Sequence, residues 1–390
     1  MHATPEFRLL CLALTAPRDD EHRAALGRAI EANPRWDAVL AGARRHAVAP
    51  LLLAGLQASD AAVPDAVIDE LRREAHAAAR HSLAQTAALT RLCRRFAELG
   101  LRVLVLKGVP LAQHLYGDPG LRSARDIDLL VDPADADAAG AVLLETGHRQ
   151  IETFLPGRTR AFHRRWFKET TYDHPDYGRV ELHHRLTDLA ELVPWDFAAL
   201  WRARDKVRLG DVAVLVLGGR HLACYLCAHA AEHAWQRLRW LTDLAALLRE
   251  PSELAIALAA AEEAGLAAAM LHAVMLAHDW LGLPVGENIL AQARADRRVK
   301  RLDRILAHSY AGEAWHVMPR RGSLAALLRY SLWQRLYRLS IKPVWRYRLR
   351  FLRRELLSPA DWAAVPLPSR LLWLYPLIRP FGWLLRRRLH

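Results

Sequence analysis

Residues 104–131 read LVLKGVPLAQHLYGDPGLRSARDIDLLV, and this stretch decides the fold. The apolar run 103–106 contains β-branched valines and predicts a short buried strand that ends at Lys107-Gly108. A helix over 110–116 and a loop rich in glycine and proline follow. The chain then enters a second apolar strand, Asp126–Val131. The order strand, helix, strand predicts the beginning of an α/β core.

Two aspartates, Asp126 and Asp128, are separated by one residue at the start of this second strand. Because side chains alternate between the faces of a strand, both carboxylates project from the same face. Two carboxylates this close repel each other unless a cation lies between them, and Mg²⁺ binds through one or two carboxylates together with substrate phosphates. Such pairs also occur on solvent-facing strands without a metal, so the context of this pair carries the interpretation.

The residues around the pair favour a phosphate ligand. Gly108 allows the backbone to approach a phosphate closely, and Lys107 supplies a positive charge beside it. Arg122 and Arg125 lie in the loop just before the carboxylates, where the charge of a triphosphate would lie. We therefore expect all four residues to contact a nucleotide.

A two-metal site needs a third carboxylate, and Glu181 is the best candidate. It lies on a predicted strand over 179–184, which a hairpin-like turn joins to another predicted strand over 168–174. His183 shares the face of Glu181 and is a candidate for lining the same cleft. The alternative for Glu181 is a cross-strand salt bridge to an arginine.

Helices are predicted on both sides of this core. Alanine, leucine and arginine recur at helical spacing in four N-terminal segments, 20–32, 36–56, 65–76 and 79–98. The core also contains a predicted helix over 133–146 and predicted strands over 148–154 and 211–217, and a long predicted helix over 220–249 follows it. The order predicts an α+β fold, a small mixed sheet flanked by helical layers. We expect four parts: 1–98, helical; 99–218, the α/β core; 219–318, helical; and 319–390, a basic aromatic helical tail.

The long predicted helix concentrates cysteine and histidine. At about 100° per residue, Cys224 and Cys227 fall on an apolar face, which predicts core packing rather than zinc binding. His229, His233 and Asp243 fall on the opposite, polar side. These three residues either line the cleft or form a hydrogen-bonded network that docks the helix on the sheet.

The tail interleaves Trp and Tyr with Arg and contains few acids. This composition is typical of helices at a membrane surface, and it also suits nucleic-acid binding. A third alternative is packing on the body, with arginine side chains that extend to solvent. Pro343, Pro376 and Pro380 predict that the tail is broken. We favour packing on the body, then peripheral membrane contact, with nucleic acid the least favoured partner.

The charge balance of the chain indicates an acidic partner. The 390 residues contain 55 Lys and Arg against 42 Asp and Glu, a net charge of +13, although arginine-rich coding alone gives such a balance. Four cysteines are too few for a disulfide framework in a chain of this length. Because neither a signal peptide nor an uncharged run of 18 apolar residues is recognised, we expect a cytoplasmic bacterial protein.

Three segments together resemble the uncharacterised bacterial nucleotidyltransferase family of the polymerase-β-like superfamily, some members of which accompany peptide natural-product modification genes. They are 104–131, VELHHRL at 180–186 and CAHAAEHAWQRLRWLTDLAALL at 227–248, and the resemblance extends over about residues 80–250. It implies that Asp126, Asp128 and Glu181 bind Mg²⁺ or Mn²⁺ and that Lys107 and Gly108 form the phosphate-binding turn. The sequence departs from the superfamily in having Lys-Gly in place of Gly-Ser, and in a longer gap before the first aspartate.

The predicted function is metal-dependent transfer of a nucleoside monophosphate from an NTP to a small-molecule or peptide acceptor. The acceptor would attack the α-phosphorus in line, and pyrophosphate would leave. One alternative is a nucleotide-sugar-dependent glycosyltransferase, since many of these enzymes bind their metal through Asp-x-Asp. The others are a transferase that modifies a protein partner and a non-catalytic transferase-fold binding module.

Overall fold

The computed structural model describes residues 4–15, 19–151, 164–310, 315, 324–356, 367–375 and 377–378. A mixed seven-stranded sheet lies at the centre of the described chain. Its strands are β1 (Val103–Val105), β2 (Asp126–Val131), β3 (Arg149–Gln150), β4 (Glu169–His174), β5 (Gly178–His183), β6 (Asp205–Leu209) and β7 (Val212–Val216). They are ordered β3-β4-β5-β2-β1-β7-β6 across the sheet.

Helices surround this sheet on the N-terminal and C-terminal sides. The first group is α1 (Pro5–Ala13), α2 (Asp20–Glu31), α3 (Trp36–His46), α4 (Ala49–Gln57), α5 (Asp65–Glu98), α6 (Val109–Tyr116) and α7 (Ala136–Glu145). The second group is α8 (Phe197–Arg202), α9 (Gly219–Glu232), α10 (Leu238–Leu247), α11 (Pro251–Glu263), α12 (Ala267–Leu281), α13 (Glu287–Ala295), α14 (Arg297–Ser309), α15 (Leu324–Ile341) and α16 (Trp345–Leu356). The predicted α+β class is confirmed.

The pairing of β2 decides where its carboxylates point. It runs antiparallel to β1 and parallel to β5, with Asp128 directly opposite Glu181. On its other face, Ile127, Leu129 and Val131 are buried in an apolar cluster with residues of α5 and α7. Because neighbouring residues alternate between the two faces of a strand, Asp126 and Asp128 project away from that cluster.

The N-terminal and C-terminal helices share one larger apolar core. It includes residues of α1, α3 and α4 together with residues of α9 to α12 and of the tail helices. Cys224 and Cys227 are fully buried in it, as the apolar helix face predicts. The division of the chain into the four parts proposed above stays a prediction.

The predicted helix over 220–249 is wrong in one respect, because it is two helices. Ala234 and Trp235 adopt the left-handed conformation, with φ of 48° and 52°, and separate α9 from α10. This conformation is unfavourable for residues other than glycine. It is compensated by burial of the Trp235 indole, which donates a hydrogen bond to the Tyr337 hydroxyl at 2.8 Å.

Other predicted boundaries also differ. Segments 65–76 and 79–98 form the single helix α5, whereas 36–56 is divided at Ala47, which is left-handed with φ of 55°. Strand β6 was not predicted, and β3 covers only the start of the strand expected over 148–154, of which 152–154 lie outside the described residues.

The tail helices pack on the body where they are described. Tyr337, Tyr347 and Phe351 are each only 1% exposed. The Lys342 ammonium donates hydrogen bonds to the carbonyls of Glu191 and Ala264, both at 2.6 Å. The chain leaves α15 and begins α16 around Pro343, which confirms that predicted break; Pro376 and Pro380 lie outside the described residues. Among the described helices, none combines the length and the apolarity of a membrane span.

Candidate active site

The polar face of β2 and β5 carries the predicted carboxylates. Asp128 is completely buried, whereas the Asp126 side chain is 26% exposed. The parallel register places Glu181 beside Asp128. One potential ligand atom from each of Asp128, Glu181 and His183 lies within 4.8 Å of the others, close enough to share one metal ion.

Lys107 reaches these carboxylates from the end of β1. Its Nζ lies 3.2 Å from Asp128 Oδ1 and 3.9 Å from Asp126 Oδ1. The strands bring it there, because the Leu106 amide donates to the Asp128 carbonyl at 3.0 Å. Gly108 follows with φ of 85°, a conformation that favours glycine, and α6 begins immediately after it. Lysine, glycine turn and helix N-terminus therefore meet at the carboxylates, where an anion would be stabilised.

His183 lies behind the carboxylates and joins them. Its Nε2 is 3.2 Å from Asp128 Oδ1, 3.2 Å from Glu169 Oε2 and 3.6 Å from Glu181 Oε2. Glu169 comes from β4, where it lies opposite His183 in the antiparallel pairing with β5. Lys168 Nζ is 2.9 Å from the same Glu169 carboxylate. A fourth acid and a second lysine therefore complete the cluster. Glu169 is the first residue of β4 and Lys168 directly precedes it, in a segment where only the secondary structure was predicted.

The cluster shifts the pKa values of its members in opposite directions. Burial alone would raise the pKa of Asp128, but the charge of Lys107 and the hydrogen bond with His183 outweigh it and lower that pKa. Burial and the neighbouring carboxylates raise the pKa of Glu181. Burial and Lys168 act to lower the pKa of His183, but its hydrogen bonds with Asp128 and Glu181 raise it overall. Asp128 is therefore held as an anion. A cation bound nearby would favour the charged form of Glu181, the acid beside it.

The donor set fits a divalent metal ion. The Oδ2 atom of Asp128 is buried and has no hydrogen-bond partner among the described residues. A buried carboxylate oxygen without a partner is costly unless a cation satisfies it. Oxygen ligands from Asp126, Asp128 and Glu181 are those that Mg²⁺ and Mn²⁺ prefer.

A cavity of about 440 Å³ opens in front of Asp126 and Glu181. Charged and polar side chains line most of it, and six of those on the described residues are basic: Lys107, Arg125, Lys168, Arg237, Arg239 and Arg338. Its acidic lining residues are Asp126, Glu169, Glu181, Asp188 and Glu232. Three of these acids, Asp126, Glu169 and Glu181, lie on the sheet, and carboxylates with six cations around them suit a ligand that carries both phosphates and a metal ion.

Two of the predicted histidines also line this cavity. His229 and His233 form a ring cluster with Trp240, with centroid separations of 4.9 to 5.4 Å. Burial and the positive charge of Lys107 lower the pKa of His229 well below its usual value, so its ring is neutral near pH 7. A cluster of neutral rings can stack on a planar ligand or donate single hydrogen bonds to it.

Arg122 and Asp243 are not part of the cavity lining. Both are buried, and Arg122 Nε donates to Asp243 Oδ2 at 2.9 Å, while the Tyr116 hydroxyl donates to Oδ1 at 3.1 Å. Arg239 of α10 also donates to the Ser123 carbonyl in the same loop. The network clamps α10 to the loop that leads into β2. For Asp243 the structure therefore favours the docking alternative, and the guanidinium of Arg122 is committed to that ion pair instead of facing the cavity.

One family model, described as uncharacterised nucleotidyltransferase, matches residues 32–282. The chain belongs to this uncharacterised nucleotidyltransferase family. A search of curated proteins finds no match. In this member of the family, the matched region runs from the N-terminal helices to α12 and contains the whole carboxylate cluster, whereas the tail, with Arg338, lies outside it.

Several residues of this candidate site were not predicted. Glu169 could have been found from the predicted hairpin, because its antiparallel register brings position 169 opposite position 183. The sequence places Arg237 on the same helix side as His229 and His233, whereas the assumption of one continuous helix hid the orientation of Arg239. No local sequence pattern indicates that Arg338 belongs to the site, because only tertiary packing of the tail brings it to the cavity.

Proposed function

We propose that this protein transfers a nucleoside monophosphate from an NTP to an acceptor in a reaction that depends on Mg²⁺ or Mn²⁺. The observation that carries the proposal is the register of two parallel strands, which sets the buried Asp128 beside Glu181, a residue that lines a cavity together with six cations. Membership of a nucleotidyltransferase family supports the class of reaction and an NTP as substrate.

In this proposal Asp126, Asp128 and Glu181 hold the metal. A bound divalent ion would neutralise the triphosphate and stabilise the attacking and leaving oxygens. His183, held between Asp128 and Glu169, keeps the buried carboxylate oriented by a hydrogen bond at its Nε2. The positioning is rigid because every one of these side chains comes from a paired strand.

Cations of the cavity would bind the triphosphate and the leaving pyrophosphate. Lys107, Gly108 and Arg125 are the proposed contacts at the carboxylate end, with Arg237 and Arg239 on the facing wall. The ammonium of Lys107 already lies between the two aspartates, so it is placed to follow charge that develops on a phosphate oxygen. The His229, His233 and Trp240 rings are the proposed contacts for a nucleobase or a planar acceptor.

We further propose that this protein is a cytoplasmic bacterial enzyme and that its tail brings it to an anionic membrane surface. Trp345, Leu349, Leu352 and Leu356 are between 46% and 67% exposed and recur at helical spacing along one side of α16. Exposed arginines flank them on the helix: Arg346, Arg348 and Arg353. An apolar stripe between basic residues is the pattern of a helix that lies in a lipid headgroup region. Sedimentation with vesicles of phosphatidylglycerol, but not of phosphatidylcholine alone, is expected, and equal sedimentation with both would refute lipid recognition.

The central test is a thermal-shift titration with each of the four NTPs and with UDP-glucose, with and without Mg²⁺. An NTP that binds only the folded protein raises the melting temperature, and we expect this only when Mg²⁺ is present. The double variant Asp126→Asn, Asp128→Asn should lose the shift. The charge-matched control is Asp173→Asn, Asp176→Asn, which changes two exposed carboxylates on the same sheet and its hairpin turn.

Each outcome has a defined meaning. A Mg²⁺-dependent NTP shift that the control keeps and the site variant loses supports the proposal, and release of pyrophosphate on addition of an acceptor then separates catalysis from binding. A shift with UDP-glucose alone would favour the nucleotide-sugar alternative. No shift with any nucleotide would refute the proposed reaction and leave a binding module.

A further inference from the structure

A second, smaller cavity of about 220 Å³ adjoins the proposed active site, and we call it the arginine pocket. It is lined by Arg165, Arg185, Arg350, Arg353 and Arg354, and by Asp188. Asp188 also lines the larger cavity, so one side chain forms a wall between the two spaces. A molecule held in the arginine pocket therefore lies one side chain away from the larger cavity, which Asp126 and Glu181 line.

The positive charge of this pocket is only partly balanced. Arg354 forms an ion pair with Asp188 at 2.9 Å, and Arg350 forms one with Glu191. These are the acidic residues among the described side chains that line the pocket. Five guanidinium groups therefore face two carboxylates.

Arg185 shows how the remaining charge is held. Its guanidinium is largely buried and donates to backbone carbonyls, to Thr187 at 3.1 Å and to Arg164 at 2.8 Å. Carbonyl groups orient the guanidinium but do not neutralise it. Burial lowers the pKa of Arg185, Asp188 opposes the shift, and the nearby Arg354 adds to it, as expected for a cation that lacks sufficient counter-charge.

Trp166 and two further arginines form another part of the lining. The Arg353 guanidinium lies over the Trp166 ring, 5.7 Å from its centroid, and Arg165 is exposed next to it in the chain. Planar guanidinium groups bind carboxylate and phosphate through paired hydrogen bonds. The triphosphate itself is better served by the larger cavity, which has the metal ligands and six cations of its own.

We propose that the arginine pocket binds an acidic group, a phosphate or a carboxylate, of the acceptor that receives the nucleotide. This inference rests on the proposed function, and it names the acceptor class that the function leaves open. An acceptor anchored by its acidic group extends past Asp188 toward the proposed metal ligands. The anchor also selects against neutral acceptors, because they leave the excess arginine charge without a partner.

The test uses inorganic phosphate and tri-glutamate as probes in calorimetric titrations of the full chain at constant ionic strength. Both titrations are repeated with saturating Mg²⁺-ATP, which would displace a probe from the larger cavity but not from the arginine pocket. The test variant is Arg165→Gln, Arg353→Gln. Its matched control is Arg346→Gln, Arg348→Gln, which removes two exposed arginines of the tail that do not line the pocket.

We expect at least one probe to bind in the presence of Mg²⁺-ATP, about tenfold more weakly in the test variant and unchanged in the control. Binding of phosphate alone assigns a phosphorylated acceptor, and binding of tri-glutamate alone assigns a carboxylate. Equal affinity in wild type and test variant, displacement by Mg²⁺-ATP, or no binding of either probe overturns the inference. Failure of the proposed nucleotide reaction can be distinguished from failure of this inference. The Asp126→Asn, Asp128→Asn variant loses the proposed metal ligands but keeps the arginine pocket.

Discussion

Removal of the Asp243 carboxylate should destabilise the protein strongly, because it leaves a buried arginine without a counter-charge. Asp243 is fully buried, and the side chain of Arg122 is only 2% exposed. At about 4 Å between charge centres and an effective dielectric constant of about 20, their attraction is about 4 kcal/mol. Measured losses on breaking such buried pairs are about 3 to 5 kcal/mol. We therefore expect Asp243→Ala to lower the free energy of unfolding by about 3 to 5 kcal/mol.

The measurement is urea unfolding followed by tryptophan fluorescence, with a double variant as the internal control. Arg122→Met combined with Asp243→Leu replaces the pair by apolar groups, so it should cost much less than Asp243→Ala alone. The clamp also holds the loop before β2, so nucleotide-induced thermal shifts should weaken in Asp243→Ala and partly return in the double variant. A loss below about 1 kcal/mol for Asp243→Ala, or a double variant worse than the single one, would refute the assigned role of the pair.

Three further predictions concern stability. Burial, and then the charge of a neighbouring arginine, lower the pKa of His46 to about 3, so the unfolded chain binds a proton first and the free energy of unfolding falls as the pH drops below about 6.5. The His46→Gln variant should therefore lose about 2 kcal/mol less than the wild type between pH 6.5 and 5, as measured by urea unfolding. An unchanged dependence of stability on pH would contradict this. A Cβ on Gly55 would lie 1.8 Å from a backbone carbonyl oxygen of α1, so Gly55→Ala should lower the free energy of unfolding by about 1 to 3 kcal/mol. The control Gly27→Ala, at a position with open space around it, should be neutral or stabilising. Equal melting temperatures for the two variants would contradict the packing argument. Lys342→Met leaves buried carbonyls without their donor and should lower the free energy of unfolding by about 2 kcal/mol or more. The control Lys300→Met changes an exposed lysine and should have no effect. Equal urea midpoints for the two variants would show that Lys342 does not anchor the tail.

The sequence predicted the elements whose patterns are local. The alternation in 126–131 and 179–184 gave both strands and the shared face of Asp126 and Asp128, because side-chain direction on a strand depends only on residue parity. The β6 strand was missed because Asp205, Lys206 and Arg208 make it polar, as is common for a strand at the edge of a sheet.

Features set by distant packing could not be predicted in this way. Nothing in Ala234 or Trp235 marks the end of a helix, and the break depends on an indole that bonds to Tyr337, more than a hundred positions later in the chain. The place of Arg338 at the cavity depends on how the tail folds back. The sequence pattern thus located the carboxylates and part of the cavity lining, including Arg125, His229 and His233, but not Arg239 or Arg338.

The position of Lys107 between Asp126 and Asp128 has a consequence for how the protein meets metal ions. The Lys107 ammonium is part of the chain, so it balances the charge of the two aspartates whatever metal ions the medium contains. The chain should therefore fold in the presence of a chelator. A free divalent ion must compete with this resident charge for the same two carboxylates. An ion that arrives on a triphosphate brings with it a new anionic partner for the lysine. In the proposed reaction, binding of the metal ion is therefore coupled to binding of the nucleotide. Without a nucleotide, the protein should bind free divalent ions weakly.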